Sequence, residues 1–321
     1  MTHEVLCLRP RADFERAGAL PPPSLAVSYG KPDNPQLASL VAGSRALVIP
    51  AVGAKLPAQL FEGARVALVQ VTGAGVDRLD EAAMRRLGIP VANVPGGSNA
   101  AVAEYVLAAA SLLLRRLAWA DAEIRAGNYA AFRARMLADN LAGLEGLTVG
   151  LIGMGTIGAA VAKAFERTGC TVVYFDPAPR DVPRARRTSL DELLRISDVV
   201  SVHVPLARGT AGLIGAAELA AMKPGAVLIQ ASRGGVVDEA ALAAGLAAGR
   251  LGGAAVDVYS TEPPAADNPL LALGGEGARR LLLTPHIAGV TRQSSAFLFA
   301  TAWANVERVL VKGEPPLNRV Y

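Results

Sequence analysis

The sequence predicts an α/β fold built on two parallel sheets, and three observations support this prediction. Short apolar runs alternate with helical patterns along most of the 321-residue chain. This alternation is typical of strand–helix–strand units, which form parallel sheets. A glycine cluster at residues 153–158 directly follows one apolar run and directly precedes a helical pattern. The 52% hydrophobic and 19% charged content supplies enough apolar side chains for two cores and excludes a disordered chain.

The first part of the chain has four apolar runs that predict strands, separated by helical patterns. The predicted strands are residues 5–8, 46–49, 66–71 and 90–93, and the predicted helices are 34–41, 57–62 and 79–87. A long alanine-rich helix is predicted next, over residues 98–126. It ends at Gly127, which stands at the C-cap position.

A second alternating series begins at residue 148 and matches a doubly wound dinucleotide-binding sheet. Its six predicted strands are residues 148–152, 171–175, 198–203, 226–230, 254–257 and 281–283. The capping box Ser189-Leu-Asp-Glu192 marks the start of one intervening helix. The last helical pattern, 292–311, lies beyond this sheet, and we expect it to pack back onto the first domain. The predicted domains are therefore residues 1–97 with 288–321, and residues 98–287.

Composition and charge argue against several other classes of protein. The net charge is +4, but the basic residues are scattered arginines without an aromatic-basic stripe, so no nucleic-acid partner is expected. The most apolar stretch, residues 100–114, carries Glu104 and is too short for a bilayer span, so no membrane partner is expected either. Cys7 and Cys170 are far apart, which indicates neither a disulfide framework nor a metal site. The two isolated cysteines are typical of a reducing compartment and no secretory signal is recognisable, so we expect a cytoplasmic protein.

The cluster Gly153-Met-Gly155-Thr-Ile-Gly158 has the spacing of a dinucleotide-binding turn. The first glycine permits a tight turn, the second lets the backbone approach a pyrophosphate, and the third allows helix and strand to pack closely. The amino terminus of the next helix attracts the phosphates. Asp176 ends the following strand, where a carboxylate accepts hydrogen bonds from ribose hydroxyls and repels a 2′-phosphate. A helix cap or loop aspartate is the other interpretation of Asp176.

Arginines crowd the loop after Asp176 and bear on the choice of cofactor. They are Arg180, Arg184, Arg186 and Arg187. Arginine near this site can hold a 2′-phosphate, whereas a solvated basic loop is the other explanation. Because Asp176 is present, we expect NAD to be preferred over NADP.

Three chemically active side chains, Arg233, Glu262 and His286, each follow an apolar run of the second series. The carboxyl ends of strands form the ligand-binding edge of an open α/β sheet. Arginine binds a carboxylate through two parallel hydrogen bonds and polarises a neighbouring carbonyl. Histidine exchanges protons near neutral pH, and a glutamate at its second nitrogen would fix the ring and favour the imidazolium. The three together suggest hydride transfer to a polar carbonyl substrate, whereas His3 and His203 are interpreted as structural.

Several motifs connect this chain to a known family. They are Gly73-Ala-Gly-Val-Asp77, Asn99-Ala-Ala-Val-Ala-Glu104, the glycine cluster, Ser232-Arg-Gly-Gly-Val-Val-Asp238, Asp257 with Glu262-Pro263, and Thr284-Pro-His286. With these motifs the sequence resembles the D-isomer-specific 2-hydroxyacid dehydrogenases, over residues 45–315. The resemblance implies a Rossmann-type NAD-binding domain at 98–287 and a smaller, discontinuous, flavodoxin-like α/β substrate domain. It also implies a homodimer joined through the long helix and an arm, residues 100–145.

The resemblance implies a role for each site residue. Arg233 anchors the substrate carboxylate and carbonyl, His286 is the general acid/base, and Glu262 is its partner. The backbone of Ala74 and Gly75 would receive the substrate carboxylate. The implied cofactor contacts are Gly153, Gly155, Thr156, Ile157 and Gly158 at the pyrophosphate, Asp176 at the ribose, Val102 and Val204 at the walls, and Ala231, Ser232, Arg233, Asp257, His286 and Gly289 around the nicotinamide.

Departures from the family pattern narrow the expected substrate. Phosphoglycerate dehydrogenases typically carry an arginine just before the segment that matches residues 73–77, where this chain has Val71 and Thr72. Phosphite dehydrogenases place a lysine where this chain has Ala74. We therefore expect a small 2-keto acid, of the glyoxylate or hydroxypyruvate type, reduced to a D-2-hydroxy acid. The alternatives are a phosphoglycerate dehydrogenase-like enzyme and an NAD(H)-sensing, corepressor-like binding protein.

Overall fold

Two parallel β-sheets, one in each of two units, organise the computed structural model, which describes residues 3–321. The first unit comprises the chain up to Ser98 together with Val290–Tyr321, and the second comprises Asn99–Gly289. Up to Ser98 the elements are β1 (His3–Cys7), α1 (Arg11–Ala17), β2 (Leu25–Tyr29), α2 (Leu37–Ala42), β3 (Ala46–Ile49), a 3₁₀ helix (Ala58–Phe61), β4 (Leu68–Val71), α3 (Glu81–Leu87) and β5 (Val91–Ala92).

The second unit begins with helices and continues as a strand–helix series. Its elements are α4 (Asn99–Leu114), α5 (Leu117–Arg125), α6 (Tyr129–Ala138), β6 (Thr148–Ile152), α7 (Thr156–Glu166), β7 (Thr171–Phe175), β8 (Ala185–Arg187), α8 (Leu190–Ile196), β9 (Val199–Val202), α9 (Ala216–Ala221), β10 (Val227–Gln230), α10 (Glu239–Ala247), β11 (Gly253–Val256), α11 (Gly275–Arg279) and β12 (Leu281–Leu283). The chain then returns to the first unit as α12 (Arg292–Leu310).

In the first unit the strand order is β2-β1-β3-β4-β5, and all neighbouring strands are parallel. Helix α12 packs on α1, β3 and β4 and so completes this unit. Trp303 of α12 is buried, and its ring centroid lies 5.0 Å from that of Phe14. Within the same core, Asn305 Nδ2 donates to Gln70 Oε1 over 2.6 Å. Aromatic packing and a satisfied buried amide pair thus fix the last helix on this sheet.

In the second unit the strand order is β12-β11-β10-β9-β6-β7-β8, again all parallel. The order reverses between β6 and β9, which makes the carboxyl end of β6 a topological switch point. The residues of β9, β10 and β11 are all buried, as expected for strands covered on both faces. This topology confirms the predicted doubly wound α/β class, and it places the glycine cluster at the switch point.

The prediction of one helix over residues 98–126 is wrong, because the structure breaks it into α4 and α5. Arg116 adopts a left-handed conformation with φ of 50°, and Leu117 starts a new helix. The local sequence contains no glycine or proline that marks a break. The Arg116 guanidinium instead pairs with Asp139 and lies 5.5 Å from the ring centroid of Trp119, which is buried. These tertiary contacts favour the turn over continued helix.

One strand in each sheet was missed from the sequence, so the predictions of four strands in the first sheet and six in the second are wrong: the sheets have five and seven. Strand β8 lies in the arginine-rich loop, and its two arginines, Arg186 and Arg187, are exposed. Strand β2 carries an alternating pattern of burial at the edge of the first sheet. Both are edge strands. The exposed arginines of β8 give a weak strand signal, and in β2 only Leu25 is fully buried. Among the described helices, none is both long and apolar enough to cross a membrane.

Candidate active site

The glycine cluster forms a tight turn between β6 and α7, and two of its glycines are sterically required. A Cβ atom on Gly153, whose φ is +97°, would lie 2.6 Å from the carbonyl oxygen of His203. A Cβ on Gly158 would lie 2.3 Å from the carbonyl oxygen of Gly153. At Gly155, in contrast, a Cβ would meet no atom within 4 Å. Backbone atoms therefore fill the space beside the first and third glycines, whereas the space beside the second glycine is unfilled by protein.

The open side of this turn coincides with the start of α7. Gly155 occupies the N-cap position and supplies no side chain to the amides of the first turn, which includes Thr156 and Ile157. Helix amino termini with available amides and a partial positive charge bind anionic groups. The residues present thus fit the pyrophosphate of a dinucleotide such as NAD, which is the group that the cluster predicts.

Asp176, at the end of β7, is buried beside this turn and carries a hydrogen-bonded carboxylate. Its Oδ2 accepts from the amide of Met154 over 2.9 Å, and its Oδ1 accepts from the amide of Ala178 over 2.9 Å. The Nε atom of Arg180 lies 3.6 Å from Oδ2. Burial raises the pKa of Asp176, but the two amides and the Arg180 charge outweigh burial, so its pKa is lowered. The group is therefore a carboxylate at neutral pH.

Two arginines of the following loop have acceptors within the protein. Arg187 donates to the carbonyl oxygens of Asp176 and Pro177, over 3.0 and 2.8 Å. Arg186 pairs with Glu192 of α8 over 2.9 Å. These contacts explain part of the arginine-rich loop as structural support for β8 and for the residue that follows β7. Arg180, in contrast, pairs with the Asp176 carboxylate itself.

His286 and Glu262 come together at the carboxyl ends of β11 and β12. The Nδ1 atom of His286 is 2.8 Å from Glu262 Oε2 and 3.1 Å from Oε1. Both side chains are partly accessible, 24% exposed for His286 and 27% for Glu262. Burial raises the pKa of Glu262, but the hydrogen bonds from His286 and the Tyr259 amide, with the charge of Arg233, lower it overall. The glutamate is thus an ionised acceptor that orients the imidazole through Nδ1 and leaves Nε2 for proton transfer.

The backbone at His286 is held in a left-handed conformation, with φ of 56°. For a residue with a Cβ this conformation costs about 1–2 kcal/mol, so surrounding contacts must maintain it. The His286 amide donates to the carbonyl oxygen of Asp257 over 2.8 Å. The amides of Ile287 and Ala288 both donate to the Asp257 carboxylate, each over 2.8 Å. Asp257, only 1% exposed, thereby fixes the backbone conformation of His286 and the two residues that follow it.

Arg233 follows β10 on a turn that packs directly against the segment after β11. A Cβ on the next residue, Gly234, would lie 1.7 Å from the carbonyl oxygen of Tyr259. Gln230 supports the turn, because its Nε2 donates to the Arg233 carbonyl oxygen over 2.8 Å. Only glycine therefore lets the backbone at position 234 lie this close to the backbone of Tyr259. This approach brings the Arg233 charge close enough to lower the pKa of Glu262.

We expect Gly234→Ala to destabilise the second unit and displace Arg233. The added Cβ would also lie 2.5 Å from the Ser260 amide nitrogen, so two backbone segments must separate. Overpacking of this kind costs about 1–3 kcal/mol, which predicts a melting temperature several degrees lower. Gly274→Ala is the matched control, because its Cβ would meet no atom within 4 Å. Equal melting temperatures of the two variants in differential scanning calorimetry would contradict the requirement for a close approach.

Other residues predicted to contact the cofactor lie within the second unit at different degrees of exposure. Val102 is buried on α4, whereas Val204 lies 2.9 Å from the position of a Cβ on Gly153 and is partly exposed. Ser232 is buried and its hydroxyl donates to Gln230 Oε1 over 2.9 Å, and Ala231 and Gly289 are partly exposed. Val204 thus lies at the glycine turn, whereas Val102 belongs to the core under it. Their contacts with a cofactor remain predictions.

The residues predicted to receive the substrate carboxylate, Ala74 and Gly75, belong to the first unit and follow β4. Asn93 Nδ2 donates to the Ala74 carbonyl oxygen over 2.6 Å, and the Val94 amide donates to the carbonyl oxygen of Gly73 over 2.9 Å. These bonds fix the conformation of the loop at the end of β4. Its role in binding substrate remains a prediction.

His203 makes a structural contact inside the second unit. Its Nε2 is 2.9 Å from the Ser201 hydroxyl, and burial lowers the pKa of His203 to about 4. It is therefore neutral at physiological pH and unsuited to proton donation. The side chain of His3 lies outside the described residues. Within the part of the chain that the structure describes, no three potential ligands among His, Cys, Asp and Glu are grouped as a metal site.

Two tyrosines that hold Thr284, two residues before His286, were not predicted from the sequence. Tyr259 donates its hydroxyl to the carbonyl oxygen of Thr284 over 3.0 Å, and Tyr105 of α4 lies 2.7 Å from the Thr284 hydroxyl. Thr284 lies in the Thr284-Pro-His286 motif, which indicates no separate role for its hydroxyl. Tyr105 carries no local signal, because its partner is 179 residues away in the sequence.

Comparison with known proteins identifies the family. Residues 107–288 match the NAD binding domain of D-isomer specific 2-hydroxyacid dehydrogenases. The chain belongs to this family. The predicted class of enzyme, an oxidoreductase of the 2-hydroxyacid dehydrogenase type with a Rossmann domain for NAD, is thereby confirmed.

Relatives of this dehydrogenase include proteins with different named substrates. It is 39% identical over 288 residues to an (S)-sulfolactate dehydrogenase of Chromohalobacter salexigens, covering 87% of this chain and 88% of that protein. It is 36% identical over 245 residues to a D-3-phosphoglycerate dehydrogenase of Archaeoglobus fulgidus, covering 75% of this chain but 45% of that longer protein. A solved structure of a Thermus thermophilus protein has a TM-score of 0.85 and 34% identity, covering 99% of this chain and 100% of that one. The two named dehydrogenases thus share a class of reaction and differ in substrate.

Proposed function

We propose that this dehydrogenase is an NADH-dependent reductase of small 2-keto acids, with glyoxylate or hydroxypyruvate as representative substrates and a D-2-hydroxy acid as product. The observation that carries the proposal is the pair of His286 and Glu262, joined over 2.8 Å at the carboxyl ends of neighbouring strands. An oriented imidazole at that edge of the sheet is suited to give a proton to an oxygen atom that becomes negative. The nearby charge of Arg233 is suited to a carboxylate substrate.

Each of the three side chains has a separate task in the proposed reaction. The Arg233 guanidinium holds the substrate carboxylate and polarises the C2 carbonyl. The Nε2 atom of His286 gives a proton to the C2 oxygen as the carbonyl becomes an alcohol. Glu262 holds Nδ1 and stabilises the positive imidazole before the transfer. NADH, when bound at the glycine turn, supplies the hydride, so that one hydride and one proton convert the keto acid to the hydroxy acid.

Asp176 supports NAD rather than NADP as the cofactor, and its charge can be tested without changing its shape. We expect Asp176→Asn to raise the ratio of kcat/KM with NADPH to that with NADH by about a hundredfold. The reason is that removing a carboxylate near the 2′-phosphate relieves a repulsion of roughly 3 kcal/mol. Asp191→Asn, at an exposed ion pair on α8, is the control, because it also removes one carboxylate charge. A wild-type enzyme that prefers NADPH, or an unchanged ratio in Asp176→Asn, would refute the assignment.

Two classes of substrate are candidates for the proposed reaction. Val71 and Thr72 provide no cation where phosphoglycerate dehydrogenases typically carry an arginine, which favours a substrate without a second anionic group. The sulfolactate dehydrogenase relative favours a second candidate, a sulfonated 2-hydroxy acid. The two candidates differ by one sulfonate group, so a comparison of kcat/KM for sulfonated and unsubstituted compounds separates them.

A substrate panel tests the proposal directly. Purified protein, NADH and glyoxylate, hydroxypyruvate, pyruvate or phenylpyruvate are mixed, and NADH oxidation is followed by absorbance. NAD-linked oxidation of sulfolactate and 3-phosphoglycerate is measured in parallel. We expect the highest kcat/KM with a small unsubstituted keto acid. Failure of every compound, combined with NADH-dependent capture of a peptide partner, would favour the corepressor-like alternative.

A homodimer through the arm is the proposed oligomeric state. The arm helices α5 and α6 leave large apolar side chains exposed, among them Tyr129 and Leu137, each 64% exposed. Such a set is unfavourable in water and is typical of an association surface. Sedimentation equilibrium tests the dimer.

A cytoplasmic location remains a prediction from the isolated, buried cysteines Cys7 and Cys170.

A further inference from the structure

A hydroxyl from helix α4 reaches the segment that carries His286, which we call the His286 segment (residues 284–288). The Tyr105 Oη atom is 2.7 Å from Thr284 Oγ1, and Thr284 Oγ1 donates to Asp257 Oδ1 over 2.6 Å. A threonine hydroxyl has one hydrogen, and here Asp257 accepts it. Tyr105 is therefore the donor in its bond with Thr284. The three side chains form a directed chain of hydrogen bonds that ends on a buried carboxylate.

The carboxylate at the end of this chain also determines the shape of the His286 segment. Asp257 Oδ1 accepts from the amide of Ile287, and Oδ2 accepts from the amide of Ala288, each over 2.8 Å. The two amides that follow His286 thus converge on one side chain that is 1% exposed. In this environment the orientation of the carboxylate depends on all of its donors, because hydrogen bonds in a network strengthen and align one another.

Tyr105 is suited to remain a hydrogen-bond donor at neutral pH. It is partly buried on α4, and burial raises the pKa of Tyr105 to about 12. The nearby negative charge of Asp257 also raises this pKa, whereas the bond with Thr284 opposes the shift. The phenol consequently keeps its proton at neutral pH and remains a donor.

We propose that Tyr105 is a positioning residue for His286. By directing the Thr284 hydroxyl at Asp257, it keeps the carboxylate aligned with the amides of Ile287 and Ala288 and so holds His286 in its left-handed turn. Its effect on the reaction passes through Thr284 and Asp257. The inference rests on the proposed function, in which His286 moves the proton.

The first test is Tyr105→Phe, which removes the donor and keeps the ring. Since small displacements of an acid/base group cost rate rather than binding, we expect kcat to fall about tenfold while both KM values change less than about twofold. In hydrogen exchange followed by mass spectrometry, the amides of Ile287 and Ala288 should exchange about tenfold faster. Exchange over the rest of α4 should stay the same, which a general loss of stability would not produce. Tyr29→Phe, in the first unit, is the control for loss of a tyrosine hydroxyl.

The second test is a double-mutant cycle with Thr284. Thr284→Val keeps the shape and removes the hydroxyl, whereas Thr284→Ser keeps the hydroxyl and should lose much less activity. If Tyr105 acts through Thr284, the double variant Tyr105→Phe/Thr284→Val should be no slower than Thr284→Val alone. Additive losses would overturn the inference, because they would mean that Tyr105 acts by another route.

The outcomes separate this inference from the proposed function. If wild type reduces 2-keto acids but Tyr105→Phe matches it in kcat and in exchange of the His286 segment, the inference is wrong and the proposed function stands. If wild type reduces no compound of the panel, the proposed function fails. The exchange measurement then still decides whether Tyr105 holds the segment, since it requires neither substrate nor turnover.

Discussion

His286→Gln is expected to lower kcat for 2-keto acid reduction by about a thousandfold or more, the size of effect associated with a general acid. Glutamine has a side chain of similar reach, and its amide can still donate to Glu262, which is 2.8 Å from His286 Nδ1. It cannot release a proton near neutral pH. The variant therefore removes the acid and keeps the neighbouring contact, so that the loss reports on proton transfer.

The accompanying measurement is NADH binding, by fluorescence titration of the same preparations. We expect the Kd for NADH to change by no more than about twofold, because the glycine turn and Asp176 are untouched by this substitution. A kcat of His286→Gln within tenfold of the wild-type value would refute the assignment of His286 as the general acid. A parallel loss of NADH binding would instead mean that the histidine serves the cofactor site.

Arg233→Gln is expected to lower kcat/KM by about ten-thousandfold, and Arg233→Lys by a smaller factor of about a hundred. The guanidinium can bind a carboxylate with two parallel hydrogen bonds and polarise the carbonyl beside it, whereas lysine keeps the charge without the fork. In the structure Arg233 stands on a turn closed by Gly234, so its backbone is fixed before substrate arrives. The loss should appear in both KM and kcat, since one group serves binding and activation.

The matched control is Arg195→Gln, which removes an arginine from an exposed ion pair with Asp191 on α8. Exposed pairs of this kind contribute little to stability, and this one is expected to leave kcat/KM unchanged. Steady-state kinetics with the best keto acid of the panel measures all three variants. Equal activity of Arg233→Gln and Arg195→Gln would contradict the proposed role of Arg233, as would a loss in Arg233→Lys as large as in Arg233→Gln.

The sequence was most informative where local patterns have one structural solution. The glycine cluster predicted a tight turn at the end of a strand, and the close contacts of Gly153 and Gly158 explain why other residues do not fit there. Alternation of apolar runs and helical patterns predicted the doubly wound class, since buried parallel strands require continuous apolar stretches. The edge strand β8 was missed for the opposite reason, because an exposed strand needs few apolar residues.

The pairing of His286 with Glu262 was anticipated from chemistry, but its basis lies in backbone contacts that sequence patterns do not encode. The left-handed turn at His286 depends on the carboxylate of Asp257, and the place of Arg233 depends on the contact of Gly234 with Tyr259. Each of these is a contact between segments that are far apart in the chain. Local propensity predicts none of them.

By itself the sequence determined the fold class and the tight glycine turn after β6, and it placed three chemically active side chains after apolar runs. These follow from residue spacing, because strand and helix periodicity and the sterics of glycine act over a few neighbouring residues. Only the tertiary structure decided the break between α4 and α5, the 2.8 Å pair of His286 and Glu262, and the reach of Tyr105 to Thr284. The physical reason is that these depend on packing and hydrogen bonds between distant segments, which form only when the sheet brings its strand ends together.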